Sequence, residues 1–214
     1  DAPPAAISEI LPFTEETLKP YLAGELAAGT KPNKFQEAVM AAVEGMRAVG
    51  VGSGKDLPEE FGGQESDKEK EEFKRVQQVP AKVEFLLGDL KGGLDEVAAM
   101  KDQQPKRWQA HFDYVMAQLK LRMCYANQYN LALANVRGGK FPDLKPGENG
   151  YRLTAEAVLD KATPGEYKEM FGDAKKALSA IVKEHPNTPW ALLAKSDRTL
   201  SIGLKLTGTT RAGR

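Results

Sequence analysis

Cysteine and histidine are nearly missing from this chain of 214 residues. The single cysteine, Cys124, excludes an intrachain disulfide, a Cys-x-x-Cys redox pair and a cysteine-built zinc cage. Two histidines, His111 and His185, leave little for metal chemistry. Neither sign of charge is in excess, because 30 Lys and Arg balance 30 Asp and Glu. That balance argues against nucleic-acid binding driven by overall charge, which needs a basic excess or a dense basic stripe to neutralise phosphates. No apolar run approaches the roughly 20 residues that span a bilayer, so an integral membrane protein is not expected. The signatures of P-loops, dinucleotide folds, haem attachment, zinc proteases and serine hydrolases are all missing. No cofactor and no metal are therefore expected. Sustained alternation of apolar and polar residues, the mark of strands, is lacking too.

What recurs is helical spacing, and the fold class reads as all-α: an irregular helical bundle around one long central helix. Near the start, Phe13, Thr14 and Leu18 suit a hydrophobic staple with Thr14 as N-cap. Pro20 lies too deep for a first-turn proline, so a break or kink is expected near Lys19. Asn33 can cap the next helix with Gln36 at N3, and Phe35, Val39, Val43 and Met46 mark its apolar face up to Gly50. Residues 51–66, rich in Gly and carrying Pro58, read as a loop and the best candidate for a mobile segment. These features divide the chain into an N-terminal helical segment (1–50), that loop, a main helical domain (67–206) and a flexible tail (207–214).

Within the main domain, residues 67–75 mix charges of both signs and read as a solvated helix laced with i,i+4 pairs. Val83, Leu87, Leu90, Leu94 and Val97 then give the 4-3-4-3 seam of one helix packing along another. Gly88 and Gly92 suit either a close backbone approach or a kink. Pro105 is placed to open the central element, Lys106 to Arg137, which has neither Gly nor Pro. Its stripe of Trp108, Phe112, Val115, Leu119, Met123, Ala126 and Leu133 is joined by Tyr114, Ala117, Leu121 and Tyr125. A helix apolar over more than half its circumference must be covered on both sides. Residues 153–162 suggest a short helix, and Thr163-Pro164-Gly165-Glu166 a capping box ahead of another. Thr188 as N-cap and Pro189 at N1 open a final helix expected to run to about Gly203.

Candidate chemistry is sparse. Cys124 sits mid-helix with no base near it in sequence and reads as a buried structural thiol. His111 and Asp113 point to different helix faces, which disfavours a metal pair. His185, at a helix C-terminus, suits a cap favoured by the helix dipole. The acidic pairs Glu59-Glu60 and Glu71-Glu72 lie in loop or charged-helix surroundings. Gly50-x-Gly52-x-Gly54-Lys55 lacks both the preceding strand and the Ser or Thr of a phosphate loop. Asn127, Gln128, Asn130 and Asn135 are more informative, since amides on an apolar helix need partners if buried. Either they bond loop backbone or they form a polar stripe facing a protein, with Tyr125 and Tyr129 as anchors beside Asn127 and Asn130. Trp108, Phe112, Leu119, Pro186, Thr188, Pro189 and Trp190 read as structural.

The stretch from Ala177 to Leu200, carried by Pro186, Thr188, Pro189, Ala191 and Ala194, resembles a single tetratricopeptide helix pair of the exported variety. A longer stretch, Lys106 to Leu206, resembles the C-terminal helical region of von Willebrand factor A domain-containing proteins from planctomycete-type bacteria. Arg107, Trp108, Asp113, Tyr114, Gln118, Pro186, Thr188, Pro189 and Trp190 carry that likeness. The family's Asp-x-Ser-x-Ser metal motif is missing, so its ligand site does not transfer. The resemblance implies a helical, exported, protein-contacting region of bacterial origin. The opening Asp1-Ala-Pro-Pro-Ala-Ala6 also resembles the start of an exported protein after signal removal, with a fragment boundary as the other explanation.

The function expected is that of a non-catalytic, exported helical protein-interaction protein, periplasmic or in the cell envelope. It would serve as an accessory or structural subunit whose partners are other protein subunits, with peripheral envelope association allowed. The competing class is an enzyme with a nonstandard active site formed by dispersed polar residues.

Overall fold

From Lys106 to Arg137 nothing interrupts helical backbone, and a computed structural model has one helix of 32 residues there. The structure describes residues 13–22, 30–49, 57–62, 67–138 and 140–211, without the side chains of 67–75, 77 and 137. The described elements run α1 (Glu15–Leu22), α2 (Lys34–Val49), β1 (Glu60–Gly62), α3 (Asp67–Val97), a 3-10 turn (Ala98–Gln103), α4 (Lys106–Arg137), β2 (Gly150–Glu156), α5 (Gly165–Glu184), α6 (Pro189–Asp197) and β3 (Gly203–Thr209). Helix dominates, as expected, around a long central α4. No residue from Arg107 to Leu133 is exposed, which is the all-round cover that its sequence demands. No described helix is long and apolar enough to cross a membrane.

Caps form at Thr14, Asn33 and Thr188, where the sequence places them, whereas Thr163 Oγ1 donates to the Asp160 carbonyl and accepts from Gln128 rather than closing a box with Glu166. Thr14 and Thr17 exchange side-chain and backbone bonds at the start of α1. Asn33 and Gln36 make the reciprocal pair that opens α2, each amide oxygen accepting from the other's N–H at 2.9 and 3.0 Å. Thr188 Oγ1 accepts from Ala191 N–H and donates to the His185 carbonyl, with Pro189 in the first turn of α6. Asn187 supplies the left-handed residue of that turn, at φ 56°.

Several expectations give way. Pro20 lies inside α1 without ending it, although its ring removes one helical hydrogen bond. Residues 153–162 are not a helix: Gly150–Glu156 is β2, the middle strand of a three-stranded antiparallel sheet ordered β1-β2-β3. Tyr151 and Leu153 are buried either side of exposed Arg152, a period of two too short to stand out amid helical spacing. Leu153 pairs with Leu206, and Phe61 with Tyr151. The last helix stops at Asp197, and residues 207–209 of the expected flexible tail form the end of β3. Gly203 is required there, since a Cβ would collide with the Val158 carbonyl oxygen. Gly88 and Gly92 have open space where their Cβ atoms would be, so close approach does not explain them. That role falls to Gly45 of α2, whose Cβ would lie 2.6 Å from Leu90. The phosphate-loop-like Gly50–Lys55, most of the 51–66 loop, and Asp1–Ala6 fall outside the described residues.

The chain forms two compact units, each gathered from three stretches of sequence. The first gathers residues up to Val43, Lys91–Gln118 and Gly172–Leu200. Its core includes Phe35, Val39, Leu94, Val97, Phe112, Val115, Leu178 and Ile181, with the Phe35 and Phe112 rings stacked at 5.2 Å. The second gathers Glu44–Leu90, Leu119–Phe171 and Ser201–Arg214. There the sheet closes on α3 and α4 through Phe61, Val76, Tyr129, Leu133, Val136, Tyr151 and Leu153. Both α3 and α4 contribute one end to each unit.

Candidate functional site

In the first unit, the end of α5 brings three potential donors together. Asp113 projects from α4, Glu184 is the last residue of α5, and His185 follows it. One ring nitrogen of His185 and one oxygen of each carboxylate lie within 4.8 Å of one another. Each group is fixed differently. Lys101 Nζ, from the 3-10 turn, donates to both Asp113 oxygens at 2.9 Å. His185 is 7% exposed, and its Nδ1 lies 2.9 Å from the Tyr21 hydroxyl of α1. The Tyr21 ring stacks on Trp190 at 5.5 Å, so α1 and α6 hold one wall of the imidazole. Glu184 is the exposed member.

The electrostatics favour a neutral imidazole. Burial is the main force lowering the His185 pKa; Asp113 and Glu184 oppose it, and Lys101 and Lys106 reinforce it. A protonated cap on the helix dipole, the role expected for His185, is thus replaced by a neutral ring with one nitrogen engaged by Tyr21. A neutral imidazole beside two carboxylates can accept a proton or bind a cation. His111 does not join this cluster. It stacks on Trp108 at 5.9 Å, and burial followed by the Arg107 charge lowers its pKa. Nearby, Tyr114 and Gln118 both donate to Asp197 Oδ2 at 2.6 Å.

Of the residues for which loop bonds and a protein-facing stripe were both open, Gln128 and Tyr129 bond the loops and lie buried. Tyr129 is fully buried in the core of the second unit and donates to the Pro58 carbonyl at 2.6 Å. Its pKa is strongly raised, first by burial. Tyr125 packs against the same core. Asn130 Nδ2 donates to Glu84 at 3.4 Å, while Asn127 Oδ1 is buried without a partner among the described residues. An outward anchor at Tyr129 is therefore corrected to a core residue, because its hydroxyl is needed to satisfy loop backbone. Gln128 makes the loop bonds most clearly: its Nε2 donates to Thr163 Oγ1 and its Oε1 accepts from Asp160 N–H, both at 2.8 Å. Cys124 is buried, its Sγ 3.5 Å from the Tyr167 carbonyl, and burial pushes its thiol up to about 12. Of the structural set, Trp108, Phe112, Leu119 and Thr188 are buried and Trp190 half-buried, while Pro186 and Pro189 are exposed at the turn they shape.

Exposed apolar surface lies elsewhere. On α3, Val83 and Leu87 are buried, yet Phe85 is 70% exposed and Leu86 48%. With Ala81 and Lys82 they line an apolar depression of about 440 Å³. Neither this patch nor the Asp113–Glu184–His185 cluster was found from sequence. Phe85 and Leu86 were readable as apolar residues off the helix seam. The cluster joins residues some 70 positions apart, and only the adjacent Glu184-His185 pair offered a local signal. No family model, no curated protein and no solved structure matches the chain.

Proposed function

We propose that the chain is a non-catalytic helical protein that contacts other protein subunits, as an accessory or structural member of an exported, envelope-associated assembly in bacteria. The observation that carries this reading is the Phe85–Leu86 face. A phenyl ring mostly in water, on a helix that already buries Val83 and Leu87, is apolar surface available to a partner. The planctomycete-type resemblance supplies the exported and bacterial parts of the reading, and the HPNTPW turn supplies the tetratricopeptide-like part. The competing reading, an enzyme with dispersed polar residues, draws on the convergence of Asp113, Glu184 and His185.

Co-purification from the native source with mass spectrometry, paired with Phe85→Ser/Leu86→Ser, tests the proposal. The expected result is a stable partner with an interface above about 1,000 Å², lost in the double variant, whose stability changes by less than about 0.5 kcal/mol. A chain that stays monomeric and brings down no partner, or a partner held equally by the double variant, overturns it.

A further inference from the structure

We propose that Asp113, Glu184 and His185 form a binding site for a divalent first-row transition ion of the zinc class. This inference stands apart from the protein-contacting reading above. The donors converge from α4 and the end of α5 to within 4.8 Å of one another. A zinc tetrahedron with bonds of about 2.0–2.2 Å sets its donors about 3.3–3.6 Å apart. Closing from 4.8 Å takes up to about 1.2–1.5 Å, and rotation of the exposed Glu184 side chain would supply its share.

The surroundings are those a metal site requires. Metal-ligating histidines usually have their other ring nitrogen held by a fixed group, and ligating carboxylates are themselves hydrogen-bonded. Here the Tyr21 hydroxyl lies 2.9 Å from His185 Nδ1, so an ion would take the other ring nitrogen. Lys101 competes for Asp113 with one bond to each oxygen, but a carboxylate has about four acceptor sites, so capacity for an ion remains. One imidazole and two carboxylates suit zinc-like ions. They offer no sulfur for Cu(I), and too few oxygens for the six-to-eight-ligand shell of calcium. Three protein donors leave a further position for water. Bound there, the ion would tie α4 to the α5–α6 turn. Lys101 shares Asp113 with it, which limits affinity and makes that lysine a diagnostic position.

The test uses the full chain, stripped with a chelator and titrated with zinc chloride by calorimetry. One ion per chain is expected, with a rise in Tm of about 5 °C or more at saturating zinc. Glu184→Gln, an exposed change that leaves the fold intact without metal, weakens binding by about tenfold or more. Lys101→Met, which removes the competing ammonium, tightens it. Magnesium at the same concentration gives no such binding. The proposal is overturned if zinc does not bind, if Glu184→Gln binds it as tightly as the parent, if Lys101→Met weakens it, or if magnesium binds equally.

Discussion

The two ends of α4 bury polarity in different ways. In the first unit, the N-terminal end presents Asp113, Tyr114 and Gln118, whose partners are the charged side chains of Lys101 and Asp197. In the second unit, the C-terminal end presents Gln128 and Tyr129, whose bonds go mainly to loop backbone and a hydroxyl. Neutral amides and phenols that bond a carbonyl or an N–H are spent on holding loops to the helix. Charged groups near the surface retain spare donor capacity. One continuous helix thus has a structural end and an end able to take a ligand.

The largest expected effect probes the dry end. At pH 8 the Cys124 thiol, pushed up to about 12 from an ordinary 9.0, holds about a thousandfold less thiolate than in the unfolded chain. Alkylation by iodoacetamide should therefore be about a thousandfold slower in the native protein than in urea, and a rate within tenfold of the unfolded one would break the contrast. Next, Tyr129→Ala should cost about 3–5 kcal/mol in urea denaturation, as for a buried aromatic. If Tyr129 anchored a partner instead, the loss would appear in binding and not in stability. Gln128→Leu strands the Asp160 N–H and should cost about 1–3 kcal/mol, well above Lys101→Met, a half-buried ion pair worth about 1 kcal/mol or less. Equal costs would erase the distinction between the two ends.

Glycines sharpen the same point for α2 and α3. Gly88→Ala, with open space, should stabilise by up to about 1 kcal/mol, whereas Gly45→Ala must first displace the Leu90 methyls and should gain less. Thermal melts should place the Gly88 variant above the Gly45 variant. The smallest effect is in pH. Burial lowers the His111 pKa below its ordinary 6.5, so the folded chain takes up that proton less readily than the unfolded chain. This contribution to stability is fully present above about pH 6.5 and is lost as pH falls towards the depressed value. Tm should drop between pH 7.5 and 5, and His111→Phe should flatten part of that slope.

Much of the helical framework was legible because its signals are local. Asn33 and Gln36 cap across three residues, Thr188 and Pro189 open α6 within one turn, and the α4 stripe repeats over 32 residues. The sheet was not legible, since β2 offers only Tyr151 and Leu153 in alternation and its partner β3 lies some 50 residues away. A short strand gains its stability from cross-strand pairing, which spacing along one segment does not record. The side chains of Tyr125 and Tyr129 share one helix face, but whether that face met solvent or core depended on the Pro58 loop and the sheet.

By itself, the sequence determined where helices start, that α4 must be covered all round, and that Cys124 has no activating base nearby along the chain. Those properties follow from interactions within a few turns of one helix. Tertiary structure alone decided the three-stranded sheet, the burial of Tyr129, and the meeting of Asp113 with Glu184, His185, Lys101 and Tyr21. Apart from Asp113 with Lys101, 12 positions away, such meetings depend on closing loops of about 50 residues or more, and their free energy comes from packing that no local pattern encodes.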